Sequence, residues 1–291
     1  MPVALVIGNS DGIGFALTNL LLEEDGWQVV GISRSGTLVR SARYEHHLLD
    51  VNHPEYKEHL TRIIEGLPEL DVCVYCVGIG EFLDLRTFAN EQRVFETNLL
   101  GAIRTAEVLI PILLRRGRGH FIGLSSQSDR MVAPSAPSYA ASKAALSSYL
   151  EGLAWACRPH GVYVTNVRLG FVDTKMAKAP VRPFIISAVA AARRIRRCIH
   201  QRPIRDTYPK KMAVLLALVS LGAGVRRWFA NRVNALRARP RVFVASPEVP
   251  RIAAQHEPGP PALLSPPDEA TPDVPSTVQR GSDAGSSAAS A

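Results

Sequence analysis

The 291-residue chain is 46% hydrophobic, enough for one large α/β domain with a continuous core, and this excludes disorder throughout. Its net charge of +8 is regional, because residues 176–241 hold sixteen Lys or Arg against one acid, a net +15, so the remainder sums to −7. This distribution argues against a nucleic-acid-binding protein and favours one surface that meets anions such as lipid headgroups. The four cysteines lack zinc-ligand spacing, so buried reduced thiols and no metal site are expected.

The chain opens with a predicted strand, a glycine turn and a helix. No charged-then-apolar leader precedes the apolar run at residues 3–7, so a cytoplasmic protein is expected. Residues 8–14 follow with the spacing G-x-x-x-G-x-G. Such a turn can be only a tight loop, but between a strand and a helix it lets the backbone approach a pyrophosphate at the helix N-terminus. The expected cofactor contacts here are Gly8, Ser10, Gly12, Ile13 and Gly14.

The second predicted strand, residues 28–32, ends at Ser33 and Arg34, where the adenosine ribose of a dinucleotide would be recognised. An NAD site usually places Asp or Glu here, on the 2′-hydroxyl. A guanidinium instead suits a 2′-phosphate, which it can bind as a charged fork. We therefore expect NADP(H) rather than NAD(H) as the cofactor; the alternative is that Arg34 only points into solvent.

A short third strand is predicted at Leu48–Val51. Asn52 or His53 is then expected to cap a helix that has Pro54 at its first position. Asp50, at the end of this strand, could bond an adenine amino group or could equally be a turn residue.

The following segments complete an alternating pattern of strands and helices. A near-continuous apolar run at residues 71–77 predicts a fourth strand buried on both faces. A long helical stretch at 88–115 contains Asn98, and a strand at 120–124 leads to Ser126. The alternation predicts right-handed crossovers and a Rossmann-type doubly wound parallel sheet, in a single α/β domain with a C-terminal helical extension.

Tyr139 and Lys143 lie four residues apart, on one face of the next predicted helix. A free tyrosine, with a pKa near ~10, is a poor acid or base at neutral pH, but a neighbouring cation favours the phenolate. Tyr-x-x-x-Lys is common on solvated helices, so its weight depends on its surroundings. Ser126 stands thirteen residues before Tyr139, at the carboxyl end of a strand, where open α/β sheets bind ligands.

These motifs, in this order, resemble the short-chain dehydrogenase/reductase family over residues 1–175. The resemblance implies hydride transfer between a nicotinamide and a carbonyl or alcohol carbon, in an enzyme of the NADP-preferring carbonyl reductase type. It implies that Tyr139 is the general acid in reduction and the base in oxidation, with its pKa lowered by Lys143, which also binds the nicotinamide ribose. Ser126 would hold the substrate oxygen, and a water on Asn98 would link the lysine to solvent.

Two stretches depart from the family pattern. Residues 75–78 read Tyr-Cys-Val-Gly where Asn-x-Ala-Gly is usual, which questions local stability more than catalysis. Leu169 replaces the proline of the usual Pro-Gly pair and removes a fixed φ beside the nicotinamide site, after a sixth strand predicted at 162–167. The resemblance nevertheless implies further cofactor contacts after the glycine turn. They are Asp50 and Val51 in the predicted third strand, followed by Gly78, Tyr139, Lys143, Gly170, Val172 and Thr174.

Residues 176–240 are expected to select the substrate. A helix at Ala188–Arg197 and a last strand at 204–208 are predicted, followed by the block 210–229, in which Lys and Arg pairs flank an apolar run. That run is too short to span a bilayer, which takes about 20 residues. It suits a peripheral membrane contact, or equally a mobile substrate lid or an oligomer contact. Each alternative indicates a hydrophobic substrate.

Residues 246–291 are rich in Pro, Ser and Ala without apolar periodicity, which predicts a disordered tail. The leading hypothesis is an NADPH-dependent carbonyl reductase, reversible as an alcohol dehydrogenase, for a lipophilic substrate. The alternative is a catalytically silent NADP(H)-binding regulatory protein, although such a protein has no need of Ser126, Tyr139 and Lys143 together. Epimerase or dehydratase chemistry is a third option. The resemblance also implies a homodimer or homotetramer.

Overall fold

The computed structural model describes residues 1–23, 26–177 and 179–219. The predicted tail at 246–291 lies outside these residues. So does the part of the predicted extension and of its basic-apolar block that follows residue 219.

A seven-stranded parallel sheet forms the centre of the described part. Its strands are β1 (Val3–Ile7), β2 (Gln28–Ser33), β3 (Tyr44–Leu48), β4 (Val72–Tyr75), β5 (Gly119–Ser126), β6 (Val162–Leu169) and β9 (Arg205–Tyr208). They lie in the order β3-β2-β1-β4-β5-β6-β9. Two short strands, β7 (Val172–Asp173) and β8 (Ile186–Ser187), pair separately in parallel. The order of the strands reverses between β1 and β4, so the chain winds outward in both directions from this point and the sheet is doubly wound. This confirms the Rossmann-type prediction.

Helices cover both faces of this sheet. They are α1 (Gly12–Glu23), α2 (Tyr56–Glu65), α3 (Glu91–Phe95), α4 (Gly101–Arg116), α5 (Pro137–Cys157) and α6 (Ala188–Gln201), with a further helical segment at residues 210–219. One buried apolar cluster joins the sheet to α2, α4 and α5, and a second joins it to α1 and α6. The central strands are therefore covered on both sides, which explains why β1 and β4 are uninterrupted runs of buried residues.

The third strand lies earlier in the chain than the sequence predicts. β3 pairs with β2 from Tyr44 to Leu48, whereas the prediction placed it at Leu48–Val51. As an edge strand it is only half-buried and lacks the apolar run by which inner strands are recognised. Asp50 instead forms a turn, in which its carboxylate accepts the Asn52 N–H at 2.9 Å.

The predicted cap of α2 is also wrong. This helix begins at Tyr56, and its N-cap residue, Glu55, makes no side-chain capping hydrogen bond. His53 lies in the preceding turn, where its Nδ1 accepts the Glu55 N–H at 3.2 Å. Asn52 donates to the Thr97 hydroxyl at 2.9 Å. A long-range partner therefore takes the Asn52 side chain, and a local turn takes that of His53, so neither caps the helix.

The long helix predicted at 88–115 starts at Glu91, because Asn90 has a left-handed backbone conformation with φ of 70°. A π-helical turn, Glu96–Leu100, separates α3 from α4. The Thr97 carbonyl in this turn accepts the Tyr75 hydroxyl at 2.7 Å. A Cβ on Gly101 would lie 2.3 Å from that hydroxyl, so the glycine leaves room for the contact. π-turns inside helices are frequent at functional sites, and this one carries Asn98.

Among the described residues one helical stretch, Glu91–Arg116, is long and apolar enough to cross a membrane. Half of its most apolar window is buried. Its α4 part packs into the apolar cluster against the sheet, which is the position of a core helix.

Candidate active site

The carboxyl ends of β4, β5 and β6 meet at one edge of the sheet, as parallel strands require. Gly78 follows β4, Ser126 ends β5 and Gly170 follows β6. The first turns of α5 bring Tyr139 and Lys143 to the same edge, since all five residues line one cavity. The structure therefore brings together the residues that the sequence selects for chemistry.

Asn98 is completely buried and binds the loop after β4. Its Oδ1 accepts the Ile79 N–H at 2.7 Å, and its Nδ2 donates to the Ile79 carbonyl at 2.9 Å. The same Nδ2 also donates to the Ser142 hydroxyl on α5 at 3.1 Å. Asn98 thus joins the π-turn, this loop and α5. The water that the family resemblance places on it stays a prediction.

Lys143 is 3% exposed, and its ammonium donates to the Leu124 carbonyl on β5 at 2.8 Å. Burial lowers the pKa of Lys143 from 10.5 to about 8, and the neighbouring Cys76 partly opposes this shift. Gly78 lies against the ammonium, because a Cβ there would be 3.3 Å from Nζ. The lysine is therefore a confined cation whose charge depends on pH near neutrality.

Tyr139 is partly exposed, and its ring lies beside Gly80. Burial raises the pKa of Tyr139, and hydrogen bonding with the Ser126 side chain partly offsets the rise. The Ser126 hydroxyl also accepts the backbone N–H of Ser128 at 3.1 Å and lies 2.9 Å from the Ser128 hydroxyl. The hydrogen bond with Ser126 therefore lowers the pKa of the tyrosine, but by less than burial raises it. The lowering by Lys143 that the resemblance implies stays a prediction.

A cavity of about 310 Å³ opens in front of these side chains. Its wall is mainly apolar and comes from the loop after β4, the turn after β5, the segment after β6 and the helical segment at 210–219. Representative lining residues are Phe82, Met131, Phe171, Met176, Met212 and Leu216. A small molecule in this cavity would contact hydrocarbon on most sides and the Tyr139 and Ser126 hydroxyls on one side.

The glycine turn has the close packing that a pyrophosphate site requires. Gly8 and Gly12 have φ of 88° and 57°, a region that favours glycine. A Cβ on Gly14 would lie 2.2 Å from the Gly8 carbonyl oxygen, so the turn can close onto α1 only with glycine at this position. Ser10 is partly exposed in the turn, and Ile13 lines the cavity. The N-terminus of α1 therefore faces the cavity that Tyr139 and Lys143 line, as a bound dinucleotide would need.

Asp11 and Lys175 connect this turn to the segment after β6. The Asp11 carboxylate accepts the Gly12 N–H at 2.7 Å and is paired with the Lys175 ammonium at 2.7 Å. These contacts lower the pKa of Asp11. Thr174 also reaches the turn, since a Cβ on Gly12 would be 3.2 Å from its methyl group. The predicted contact Thr174 thus lies beside the glycine turn, and the sequence analysis missed the ion pair next to it.

The predicted adenosine-binding residues lie at the end of β2. The Arg34 guanidinium is 3.9 Å from the Asp50 carboxylate, and both side chains are substantially exposed. Ser33 is buried, and its hydroxyl donates to the Ser35 carbonyl and bonds His46 Nε2, both at 2.8 Å. Arg34 and Asp50 are available to a ligand, whereas Ser33 is already held by protein partners.

The remaining predicted contacts differ in how accessible they are. Val51 is buried in the core, and its carbonyl accepts from Arg104 at 3.2 Å. Val172 is 8% exposed but lines the cavity with Gly170. Gly170 packs closely, since a Cβ there would be 3.2 Å from Pro209 Cδ. The Leu169-Gly170 step is therefore supported by packing where the family uses a proline.

A buried ion pair below the site escaped the sequence analysis. Arg168 on β6 and Asp129, three residues after Ser126, have side chains 7% and 6% exposed. The sequence contained a signal for this pair, because Arg168 is the only charged residue in β6, a strand whose residues are nearly all buried. A charge in a buried strand predicts a buried counter-charge, but only the tertiary structure shows which acid supplies it.

Three potential metal ligands, His53, Glu55 and His59, lie within 4.8 Å of one another at the surface near the start of α2. Glu55 Oε2 is 3.4 Å from His59 Nε2, a contact that a helix-start ion pair accounts for. None of the three lines the cavity, so they have no part in the site described above.

The sheet, the glycine turn at α1 and the Ser126, Tyr139 and Lys143 cluster define an NAD(P)-dependent oxidoreductase. Comparison with known families agrees. The model for short chain dehydrogenase matches residues 2–182, and the chain belongs to this short-chain dehydrogenase family.

Several similar proteins are also described as oxidoreductases or short-chain dehydrogenases. An uncharacterized oxidoreductase of Staphylococcus haemolyticus is 28% identical over 186 residues, covering 60% of this chain and 80% of the relative. One of Myxococcus xanthus is 27% identical over 226 residues, covering 72% and 88%. A short-chain dehydrogenase structure from Streptomyces avermitilis shares the fold with a TM-score of 0.65 at 22% identity, covering 81% of this chain and all of that one. ElxO, solved with NADP bound, has a TM-score of 0.60 at 19% identity, covering 67% and 89%.

Proposed function

We propose that this protein is an NADPH-dependent carbonyl reductase, reversible as an alcohol dehydrogenase, that acts on a lipophilic small molecule. The observation that carries the proposal is the position of Tyr139 and Ser126 in the wall of an apolar cavity, with the Lys143 ammonium buried behind them. A proton donor, an oxygen-binding hydroxyl and a cation at one strand edge are the groups that carbonyl reduction requires.

A nicotinamide cofactor held by the glycine turn and Lys143 would supply the hydride that reduces the carbonyl carbon. Tyr139 donates its phenolic proton to the carbonyl oxygen and takes a proton back in the oxidative direction. The Ser126 hydroxyl, held by Ser128, stabilises the charge that develops on this oxygen. Lys143 binds the nicotinamide ribose and stabilises the phenolate by its charge. Asn98 keeps the loop after β4 against this group through its two bonds to Ile79.

The proposed preference for NADPH is based on Arg34. Its side chain is half exposed at the carboxyl end of β2. Its ionic contact among the described residues, to the Asp50 carboxylate, is long at 3.9 Å. A 2′-phosphate bound there would replace the 3.9 Å contact to Asp50 by a shorter charge-assisted bond. ElxO, a protein of the same fold, was solved with NADP bound, which is consistent with this choice.

The proposed substrate class follows from the cavity wall. Most of the wall surface is apolar, and flexible methionines at positions 131, 176 and 212 adapt to ligands of different shape. Polar side chains also lie in the wall, among them Glu81, Gln127 and Thr174, but its surface is mainly apolar, so a substrate gains affinity mainly by burying hydrocarbon.

NADPH oxidation with a panel of ketosteroids, retinal, 3-ketoacyl compounds and aromatic aldehydes tests the proposal. At least one carbonyl should be reduced, and Tyr139→Phe should abolish turnover while NADPH still binds. Tyr149→Phe, on the same helix but outside the cavity wall, is the matched control and should keep activity. Turnover that persists in Tyr139→Phe would show that the assigned mechanism is wrong.

The alternative proposal, a catalytically silent NADP(H)-binding regulatory protein, predicts tight NADPH binding with no turnover on any carbonyl in the panel. The fully assembled Ser126, Tyr139 and Lys143 cluster argues against it, because binding alone does not require a proton donor.

We also propose a homodimer or homotetramer assembled through the helices that carry Asn98 and Tyr139. Exposed apolar side chains on these helices, Leu114 and Trp155, support it. Light scattering of the purified chain measures the oligomeric state directly.

A further inference from the structure

Large apolar side chains are exposed on the segments that line the cavity and on their immediate neighbours in the chain. Of the nineteen large apolar residues that are exposed in the described part, thirteen belong to four segments. Three lie in residues 82–88, one is Val132, five lie in residues 176–189 (residue 178 is not described) and four lie in residues 214–219. Each of these segments, or its immediate neighbour, also lines the cavity. We call these four segments the entrance rim, with the last extended to residues 210–219.

The helical segment at 210–219 shows the pattern most clearly. Met212 and Leu216, one turn apart, are 6% and 8% exposed and face the cavity. Val214 and Leu218, also one turn apart, are 62% and 64% exposed. A surface helix of a water-soluble domain normally carries polar residues on its outer face. From residue 212 to residue 219 this segment has none, so its outer face suits an apolar environment.

The charges of the entrance rim indicate which environment that is. Its described residues include four basic side chains, Arg86, Arg182, Lys210 and Lys211, and one acid, Asp84, a net charge of +3. Asp84 is paired with Arg86, and Arg182 is paired with Asp173, whereas Lys210 and Lys211 are exposed and have no acidic partner among the described residues. Apolar side chains flanked by free cations are typical of a surface that enters an anionic bilayer interface.

We propose that the entrance rim docks on an anionic membrane surface, so that the substrate enters the cavity directly from the lipid. A second copy of this chain is the less suitable occupant, because two rims of the same net charge would repel each other. This proposal rests on the proposed function, from which it takes the lipophilic substrate. It adds the source of that substrate and the surface through which the substrate arrives.

Flotation of the full-length chain with phosphatidylcholine vesicles, with and without phosphatidylglycerol, tests the docking. The wild type should float only with the anionic vesicles. A double variant Val214→Asp/Leu218→Asp should lose vesicle binding and remain in the unbound fraction. Lys210→Ala/Lys211→Ala should lower the partition coefficient about 25-fold, since each basic residue near an anionic surface contributes about fivefold.

The matched control is Leu48→Asp. Leu48 is 70% exposed, like the rim residues, but lies on β3 at the edge of the sheet opposite β9, so this variant should float as the wild type does. The lysine variant changes only exposed side chains and keeps the test valid if the aspartate variant fails to fold. Circular dichroism and a cooperative thermal unfolding transition check the fold of each variant.

Three results would overturn the docking proposal. The first is that the wild type does not float with anionic vesicles. The second is that the rim variants float as well as the wild type. The third is that the rim variants have a lower oligomeric mass than the wild type in the absence of vesicles. The last result would assign the rim to a second copy. Flotation does not require turnover, so Tyr139→Phe should float normally. A wild type that reduces a water-soluble carbonyl but never floats would refute docking and leave the proposed function standing.

Discussion

The Arg168 guanidinium forms a two-pronged ion pair with the Asp129 carboxylate, and both side chains are almost entirely buried. Arg168 Nε lies 2.5 Å from Asp129 Oδ2, and the Ser147 hydroxyl donates to the same oxygen at 2.6 Å. Arg168 also donates to the Thr207 hydroxyl on β9 at 3.2 Å. One pair therefore ties the turn after Ser126 to β6, α5 and β9.

Asp129→Ala should lower the free energy of unfolding by about 3–5 kcal/mol, because it leaves the Arg168 charge buried without a partner. Guanidinium unfolding of the purified protein measures this loss. Asp84→Ala, which breaks the exposed pair with Arg86, should change stability little. Replacing both buried partners, as Asp129→Leu/Arg168→Met, should cost less than Asp129→Ala alone. Equal losses in the two aspartate variants would contradict the role given to burial.

Lys143→Met should remove a pH-dependent part of the stability of the cofactor-free protein. Burial lowers the folded pKa of Lys143 from 10.5 to about 8, so between these values the unfolded chain binds more protons than the folded one. Stability contributed by this group therefore rises with pH across that window, by roughly 3 kcal/mol in total. Denaturant unfolding at about pH 7 and about pH 10 should show the wild type gaining relative to the variant. A difference that is independent of pH would contradict the lowered pKa.

Arg34→Ala should lower the preference for NADPH over NADH. Loss of a charge-assisted bond to the 2′-phosphate predicts a fall of roughly 10- to 100-fold in the ratio of kcat/KM for the two cofactors. Arg62→Ala, on the exposed face of α2, is the control and should leave the ratio unchanged. The assignment fails if the wild-type protein already prefers NADH.

Gly14→Ala should weaken NADPH binding at least about tenfold and destabilise the fold by about 1–3 kcal/mol, because the new Cβ would lie 2.2 Å from the Gly8 carbonyl. Gly152→Ala is the matched control on α5. A Cβ there meets nothing within 4 Å, so this variant should gain up to about 1 kcal/mol. Fluorescence titration with NADPH and thermal unfolding separate the two effects. Normal NADPH binding by Gly14→Ala would show that the glycine turn does not hold the cofactor.

Strong local patterns were sufficient for much of the fold. The apolar runs that become β1 and β4 and the helix that carries Tyr139 were predicted within a few residues, because inner strands are continuous apolar runs and long helices repeat apolar residues every three or four positions. The edge strand β3 was misplaced, since half-buried residues leave no such pattern. The cap of α2 was misassigned because Asn52 binds Thr97, which lies 45 residues away in the chain.

The amino-acid sequence by itself determined the class of fold, the order of the motifs and the identity of the residues that meet at the strand ends. These properties depend on residue type and spacing, which can be read along the chain. The tertiary structure alone decided what surrounds them: Asn98 bound to Ile79, Ser126 hydrogen-bonded to the tyrosine, the Asp129 partner of Arg168 and the apolar entrance rim. Each of these depends on distances between segments far apart in sequence, which packing sets and local periodicity does not encode.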